Sequence, residues 1–284
     1  MTVAAAAFGA MAFSARIASR QLSGPEVAFV RMAIAILPCA LVPAYRRAAM
    51  QFQRLDLIVY RGIFGGIAVM LYFLAIEHTS AGVATLLNYT APVWSGTFSL
   101  LFIGERLSPR VLIPLPIAFA GVFLVMHSSA FGFNRWMLIG LLSAVCSGAA
   151  VTAIRAARRA ENSWSVYASF CFFGMIVNLP LTIVQWRTPA GMTIWIALFA
   201  TAVFAMIAQL LMTFSLRWVD AVTVGVISQL AVLVAMALGA LFLRERITGI
   251  AALGSALTIA GVVGVTYVTS LGKRADSVEL VPEA

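Results

Sequence analysis

Ten apolar runs, each near the length of a bilayer crossing and joined by short connections, leave this chain few folds to choose from. They cover about 2–19, 27–45, 57–76, 81–103, 110–127, 136–155, 164–186, 192–215, 220–243 and 248–269. A transmembrane helix needs ~20 mostly apolar residues. In lipid the backbone must satisfy its own hydrogen bonds, so runs of this length are expected to be helices. The predicted fold class is an all-α integral membrane protein. Composition agrees: 62 % of the 284 residues are hydrophobic and 10 % are charged, against about 25 % charged in a soluble domain. Basic residues exceed acidic ones by nine, but the arginines lie between apolar runs, where they orient helices. Nucleic acid is not an expected partner; the lipid bilayer and a small-molecule solute are. The sequence leaves the oligomeric state open.

Cys39, Cys146 and Cys171 sit inside apolar runs with no CxxC or Cys/His cluster nearby. They read as packing residues, and no metal or other cofactor is expected. The first run lacks the basic leader of a signal peptide and is short for a span, which leaves open an earlier start of the natural chain. Residues 271–284 read as a polar, disordered cytoplasmic tail.

Part of the chain occurs twice. Residues 81–125, shifted by 140, match residues 221–265 without a gap at ten of 45 positions. Leu101, Phe102, Glu105 and Arg106 fall on Leu241, Phe242, Glu245 and Arg246, and Ala120-Gly121-Val122 on Ala260-Gly261-Val262. At a shift of 139, Gly9, Ala10, Arg16 and Arg20 fall on Gly148, Ala149, Arg155 and Arg159. The unit is five spans, expected at 1–129 and 130–270. Five is odd, so the second copy must enter the membrane inverted, an arrangement used by transporters that expose a midplane site to each side in turn. With the N-terminus inside, twelve basic residues fall on the cytoplasmic side and six outside. Both termini are therefore expected in the cytoplasm.

Ten spans in two five-span units, with Gly104-Glu105-Arg106-Leu107-Ser108 and Arg244-Glu245-Arg246-Ile247-Thr248 after the fourth and ninth, resemble EamA-type transporters of the drug/metabolite transporter superfamily. The two Ala-Gly-Val triplets and Ala91-Pro92 belong to the same pattern. The resemblance implies a multi-pass transporter of the plasma (inner) membrane. Export of an amino acid or related compound is the leading expectation, and uptake of a vitamin-like or nucleotide-like solute the alternative. Val232 stands where the first copy has Pro92, so a helix break is expected in the first copy and is open in the second.

Polar groups inside a bilayer are costly and mark candidate sites. Asn88, Tyr89, Pro92, Trp94, Ser95 and Ser99 lie within three turns of the fourth span. Pro92 removes the donor that would satisfy the Asn88 carbonyl. Ser228 and Gln229 align with Asn88 and Tyr89. The two polar pairs suggest one shared substrate site, the plain alternative being hydrogen bonds between helices. Trp94 either stacks on a solute or fills space. Arg61, in line with Gly65, Ala68 and Tyr72, either reaches the cytoplasmic surface or meets a solute anion. Arg31 has the same two readings. Gln209, Thr213 and Asn178 are weaker candidates. Gly62xxxGly66 and Gly140xxxAla144xxxGly148 read as close helix contacts, and the two Glu-Arg corners as interface anchors. Glu77, His78 and His127 lie at span ends, so no carboxylate is expected at mid-membrane. An intramembrane enzyme would need a nucleophile and base, paired aspartates or metal ligands, and none stands out. A channel or a non-transporting scaffold ranks below a carrier.

Overall fold

The computed structural model describes residues 1–103, 110, 113–128, 134–157, 161–215 and 227–279, and among them there is no strand. The helices are α1 (Thr2–Ala18), α2 (Gly24–Leu41), α3 (Pro43–Ala49), α4 (Leu55–His78), α5 (Ala81–Asn88), α6 (Ala91–Ile103), α7 (Pro114–Ser128), α8 (Arg135–Ala157), α9 (Ser163–Gln185), α10 (Met192–Ser215), α11 (Leu230–Leu243) and α12 (Gly249–Glu279). Six of them are long and apolar enough to cross a membrane: α2, α4, α8, α9, α10 and the Gly249–Val268 part of α12. Thr2–Ala18, Pro114–His127 and Leu230–Leu243 are shorter apolar helices.

Local chemistry sets the helix starts. The Glu26 carboxylate accepts the Ser23 N–H (2.6 Å) at the head of α2, with Pro25 in the first turn where its missing donor costs nothing. Ser80 Oγ accepts the Val83 N–H (3.1 Å) at the head of α5. The Asn162 side chain accepts the N–H groups of Trp164 and Ser165 (both 2.9 Å) at the head of α9. These are N-cap bonds, satisfying donors that a helix start leaves unpaired.

Three features differ from the sequence reading. The second run ends at Leu41, and Pro43 starts the separate short helix α3. The fourth run is two helices: the break expected at Pro92 falls just before it, with Tyr89 and Thr90 in the turn. Past Lys273 the expected disordered tail is instead a continuation of α12 to Glu279; Lys, Arg, Ala and Glu are good helix formers, and no Gly or Pro interrupts 273–279.

Helix contacts come in matched sets. α4 packs on α8 and α1 on α10; α4 on α9 and α2 on α10; α6 on α8 and α1 on α11. α2 packs on α9, and α7 on α12. Each of these pairs survives exchange of α1, α2, α4, α5–α6 and α7 for α8, α9, α10, α11 and α12. The α2–α9 seam is tied at both ends in the same way. At one end Glu161 Oε1 accepts the N–H groups of Gln53 and Arg54 (both 2.6 Å), while Asn162 Nδ2 and Ser165 Oγ donate to the Ala48 carbonyl (2.8 and 2.9 Å). At the other end Glu26 Oε1 accepts the Arg187 N–H and Thr182 Oγ1 donates to the Pro25 carbonyl (3.2 Å).

The small residues act as the sequence suggests. A Cβ on Gly66 would lie 2.8 Å from the Gly174 Cα, and one on Gly148 2.7 Å from the Trp94 Cβ. The two Ala-Gly-Val triplets sit where α7 crosses α12: a Cβ on Gly121 would strike Thr258, and one on Gly261 would strike Ala118. Close backbone approach of this kind lets membrane helices gain dispersion contact where no hydrophobic drive exists.

Candidate functional site

The break between α5 and α6 opens onto a cavity of about 210 Å³. Its walls come from both halves of the chain: α1, α2, α4, α5 and α6 on one side, α8, α9, α10, Ser228 and α12 on the other. Of the residues singled out from sequence, Arg31, Arg61, Tyr72, Asn88, Tyr89, Pro92, Gln209 and Ser228 line it. Phe8, Met11, Ser147, Phe170, Met212 and Thr266 line it too and were not anticipated. Apolar and hydroxyl residues of this sort are indistinguishable in sequence from ordinary helix packing.

Not every candidate reaches the cavity. Trp94 is outside the lining and packs edge-on against Phe119 (centroids 6.2 Å apart). Gln229 is also outside; its Nε2 donates to the Tyr89 carbonyl (3.3 Å), joining the two aligned polar pairs. Ser95 Oγ lies 3.2 Å from Thr152 Oγ1 on α8. Asn178 Nδ2 donates to the Gly174 carbonyl (2.7 Å) and to the Gly66 carbonyl (3.5 Å), so it serves the α4–α9 crossing. The side chain of Ser99 and residues Glu105 and Arg106 lie outside the described residues.

The helix break is present in both copies. After Asn88 the ladder is carried by three-residue bonds, Thr90 N–H to Leu87 O (3.2 Å) and Val93 N–H to Thr90 O (2.9 Å). In the second copy Gln229 is in a turn, and the Val232 N–H donates to the Gln229 carbonyl (3.0 Å). Pro92 explains the first irregularity, because it has no N–H to give Asn88. Val232 has one, and turns it to a nearer carbonyl.

The neutral wall is largely satisfied. Asn88 Nδ2 donates to Ser143 Oγ (2.9 Å) and Ser147 Oγ (3.1 Å) on α8. Tyr72 Oη is 2.8 Å from Thr85 Oγ1. The Tyr89 ring meets Phe8 edge-on at 6.4 Å.

The charged wall is different. Arg31 and Arg61 are 3 % and 5 % exposed, and the Nε of each is buried without a hydrogen-bond partner. Both guanidinium groups lie over the Phe170 ring, with Cζ 5.6 and 4.3 Å from its centroid; Arg31 is also 5.6 Å from Phe73. Neither belongs to an ion pair among the described residues. Arg61 does not snorkel toward the start of α4. Its Nη1 occupies the space that a Cβ on Gly65 would take, one turn further along the helix, against the usual lean of helical side chains toward the N-terminus.

At one end of the bundle, Glu245 adds a tie between helices to the corner read as an interface anchor. Arg244 turns the chain back through a left-handed conformation (φ 55°). Glu245 Oε1 then accepts Arg16 Nε (3.2 Å) and the Ala81 N–H (3.4 Å), and Arg16 Nη1 donates to the carbonyls of Ile76 and Glu77 (2.8 and 2.6 Å). Burial pushes the Glu245 carboxyl above the ordinary glutamate value, opposed by the charge of Arg16. Beside it, Glu77 Oε2 accepts the Gly24 N–H (2.6 Å), and His78 stacks on Trp136 with centroids 3.6 Å apart.

Comparison with known proteins supplies the context. The model of the EamA-like transporter family matches residues 1–127 and 134–267. The chain is 28 % identical to the pseudopaline exporter CntI of Pseudomonas aeruginosa over 255 residues, which is 89 % of this chain and 87 % of that protein. An uncharacterized transporter of Archaeoglobus fulgidus is 25 % identical over 70 % of this chain and 72 % of its own length. A crystal structure sharing 20 % identity superposes with a TM-score of 0.65, covering 96 % of this chain and 98 % of that one, a likeness of fold. With apolar helices throughout and the family matched on both sides of a shared cavity, this chain is a multi-pass membrane protein of the EamA-like transporter family.

Proposed function

We propose that this protein is a secondary carrier that exports a small polar metabolite, an amino acid or related compound, by alternating access. The observation that carries the reading is the cavity itself: it lies where the two family-matched stretches meet and is lined by both. In this reading the chain crosses the inner membrane ten times as two inverted five-helix repeats, with both termini in the cytoplasm. The exchange-related helix contacts, and the family match to two successive stretches, support that arrangement. The relative named as an exporter supports the direction.

Asn88, Tyr89, Gln209 and Ser228 would hold the polar part of the solute, with Tyr72 and Arg61 completing the site. Pro92 leaves the Asn88 carbonyl without its helical donor, and discontinuous helices at the midplane are where carriers of this architecture bind solute. The Arg16–Glu245 pair ties α1 to the corner after α11, closing one end of the bundle. Opening that end for release requires the pair to part. Trp94 and Gln229 act behind the cavity wall as packing and positioning groups.

Two experiments test the proposal. A metabolite screen of cells with and without the protein should reveal a solute that accumulates inside when the protein is absent. In proteoliposomes, Asn88→Ala combined with Gln209→Ala should lower flux of that solute at least about tenfold, the scale set by two lost hydrogen bonds. Undiminished flux in a variant that inserts and folds would remove the site from this cavity.

A further inference from the structure

The two arginines raise a question that export of a generic polar solute leaves unanswered. An unpaired ion away from water carries a penalty of several kcal/mol. Here two of like sign share one aromatic ring. The usual escapes are closed to them. Arg61 is turned deeper along α4 instead of out to the interface. The carboxylates with described side chains are all engaged elsewhere: Glu26 and Glu161 at the α2–α9 ties, Asp56 with Arg54, Glu77 with the Gly24 N–H, and Glu245 with Arg16. Cation–π contact with Phe170 offsets part of the cost, about 2 kcal/mol in a desolvated site, and leaves the in-plane N–H donors unused.

We propose that the transported solute presents two negative charges to this wall, either two carboxylates or one phosphate dianion, held between Arg31 and Arg61 with Phe170 behind them. The inference rests on the cavity being the transport site and narrows its substrate to a class. Guanidinium groups present forked N–H donors that match carboxylate and phosphate oxygens. The rest of the lining, Asn88 and Gln209 included, is uncharged and receives the rest of the molecule. Gly65 is part of the device, because only a residue without a side chain leaves room for Arg61 Nη1 to reach inward.

The test is binding to the purified full-length protein in detergent at low chloride, read as a thermal shift with glutamate, glutamine and O-phosphoserine. Glutamate and glutamine differ by one carboxylate, and O-phosphoserine puts a phosphate where glutamate has its side-chain carboxylate. A saturable rise in Tm with glutamate or O-phosphoserine, at least about tenfold tighter than with glutamine, is expected for two charge-assisted contacts. Arg31→Gln and Arg61→Gln should each abolish that preference without lowering the Tm of the free protein, since each removes an uncompensated charge. Gly65→Ala should weaken anion binding with both arginines still present, a response that a merely structural arginine pair would not give. Equal shifts with glutamate and glutamine, no shift with any of the three, or a preference that survives both arginine variants overturns the inference. Flux in proteoliposomes is read separately: selective binding without movement strikes the transport reading and leaves the substrate class standing.

Discussion

The two walls of the cavity solve the same problem in opposite ways. On the neutral wall, Asn88 gives both amide hydrogens to Ser143 and Ser147, and Gln229 reaches the Tyr89 carbonyl behind it. On the charged wall, Arg31 and Arg61 keep unbonded nitrogens over Phe170. The amide hydrogens of Asn88 are met within the protein, as those of polar residues between membrane helices usually are. No described residue meets the Nε groups of the charged wall. An unmet polar atom alone does not mark a site, since Trp94 Nε1 and Asn178 Oδ1 are also unpartnered away from the cavity; at Arg31 and Arg61 the unmet group is charged and lines it.

The contrast can be broken from either side. The largest effect is expected at Phe170, buried at 3 % exposure beneath both cations. Phe170→Ala should cost about 3 kcal/mol from the cavity it leaves, measured by chemical denaturation in detergent, and a small loss would mean that the charged wall collapses easily. Next is Gly66→Leu, which drives a side chain into Gly174 at the α4–α9 crossing. Overpacking of this kind costs about 1–3 kcal/mol and should lower the yield of folded protein in a size-exclusion assay. Asn88→Ala should cost about 1 kcal/mol by breaking an internally satisfied group. If the neutral wall were instead waiting for a ligand, the Tm of the free protein would stay unchanged.

The smallest effect concerns the tie at the end of the bundle. Burial raises the Glu245 carboxyl above its usual value of 4.5, so the folded chain holds that proton more tightly than the unfolded one. The resulting contribution to stability is fully present below 4.5 and is lost as pH rises through the raised value. Over the same window the carboxylate forms and pairs with Arg16, while Arg20 lies close enough to act on it. In Glu245→Gln the Tm should lose its pH dependence just above 4.5. A Tm profile identical to that of the unmodified protein removes Glu245 as the titrating group.

Much of the candidate site is legible in the sequence. Asn88, Tyr89, Ser228, Gln209, Tyr72 and Arg61 stood out because each is polar in a run that lipid should keep apolar, and all of them line the cavity. Trp94 and Gln229 stand out for the same reason and are not among the lining residues. Helical spacing places a residue on a stripe, but which stripe faces the center depends on what packs outside it. The pairing of Glu245 with Arg16 is not legible in the sequence, because the two are 229 residues apart and no local pattern connects a corner to the helix it will touch.

By itself the sequence determined the membrane class, the duplication and the set of polar residues that the bilayer makes expensive. These follow from run length, repeat spacing and solvation cost, all of which are local or additive along the chain. The tertiary structure alone decided which polar groups satisfy one another and which are left over. Hydrogen bonding is pairwise and short-ranged, so Arg31 and Arg61 meet over one ring only when α2, α4 and α9 pack together, and no described carboxylate pairs with either.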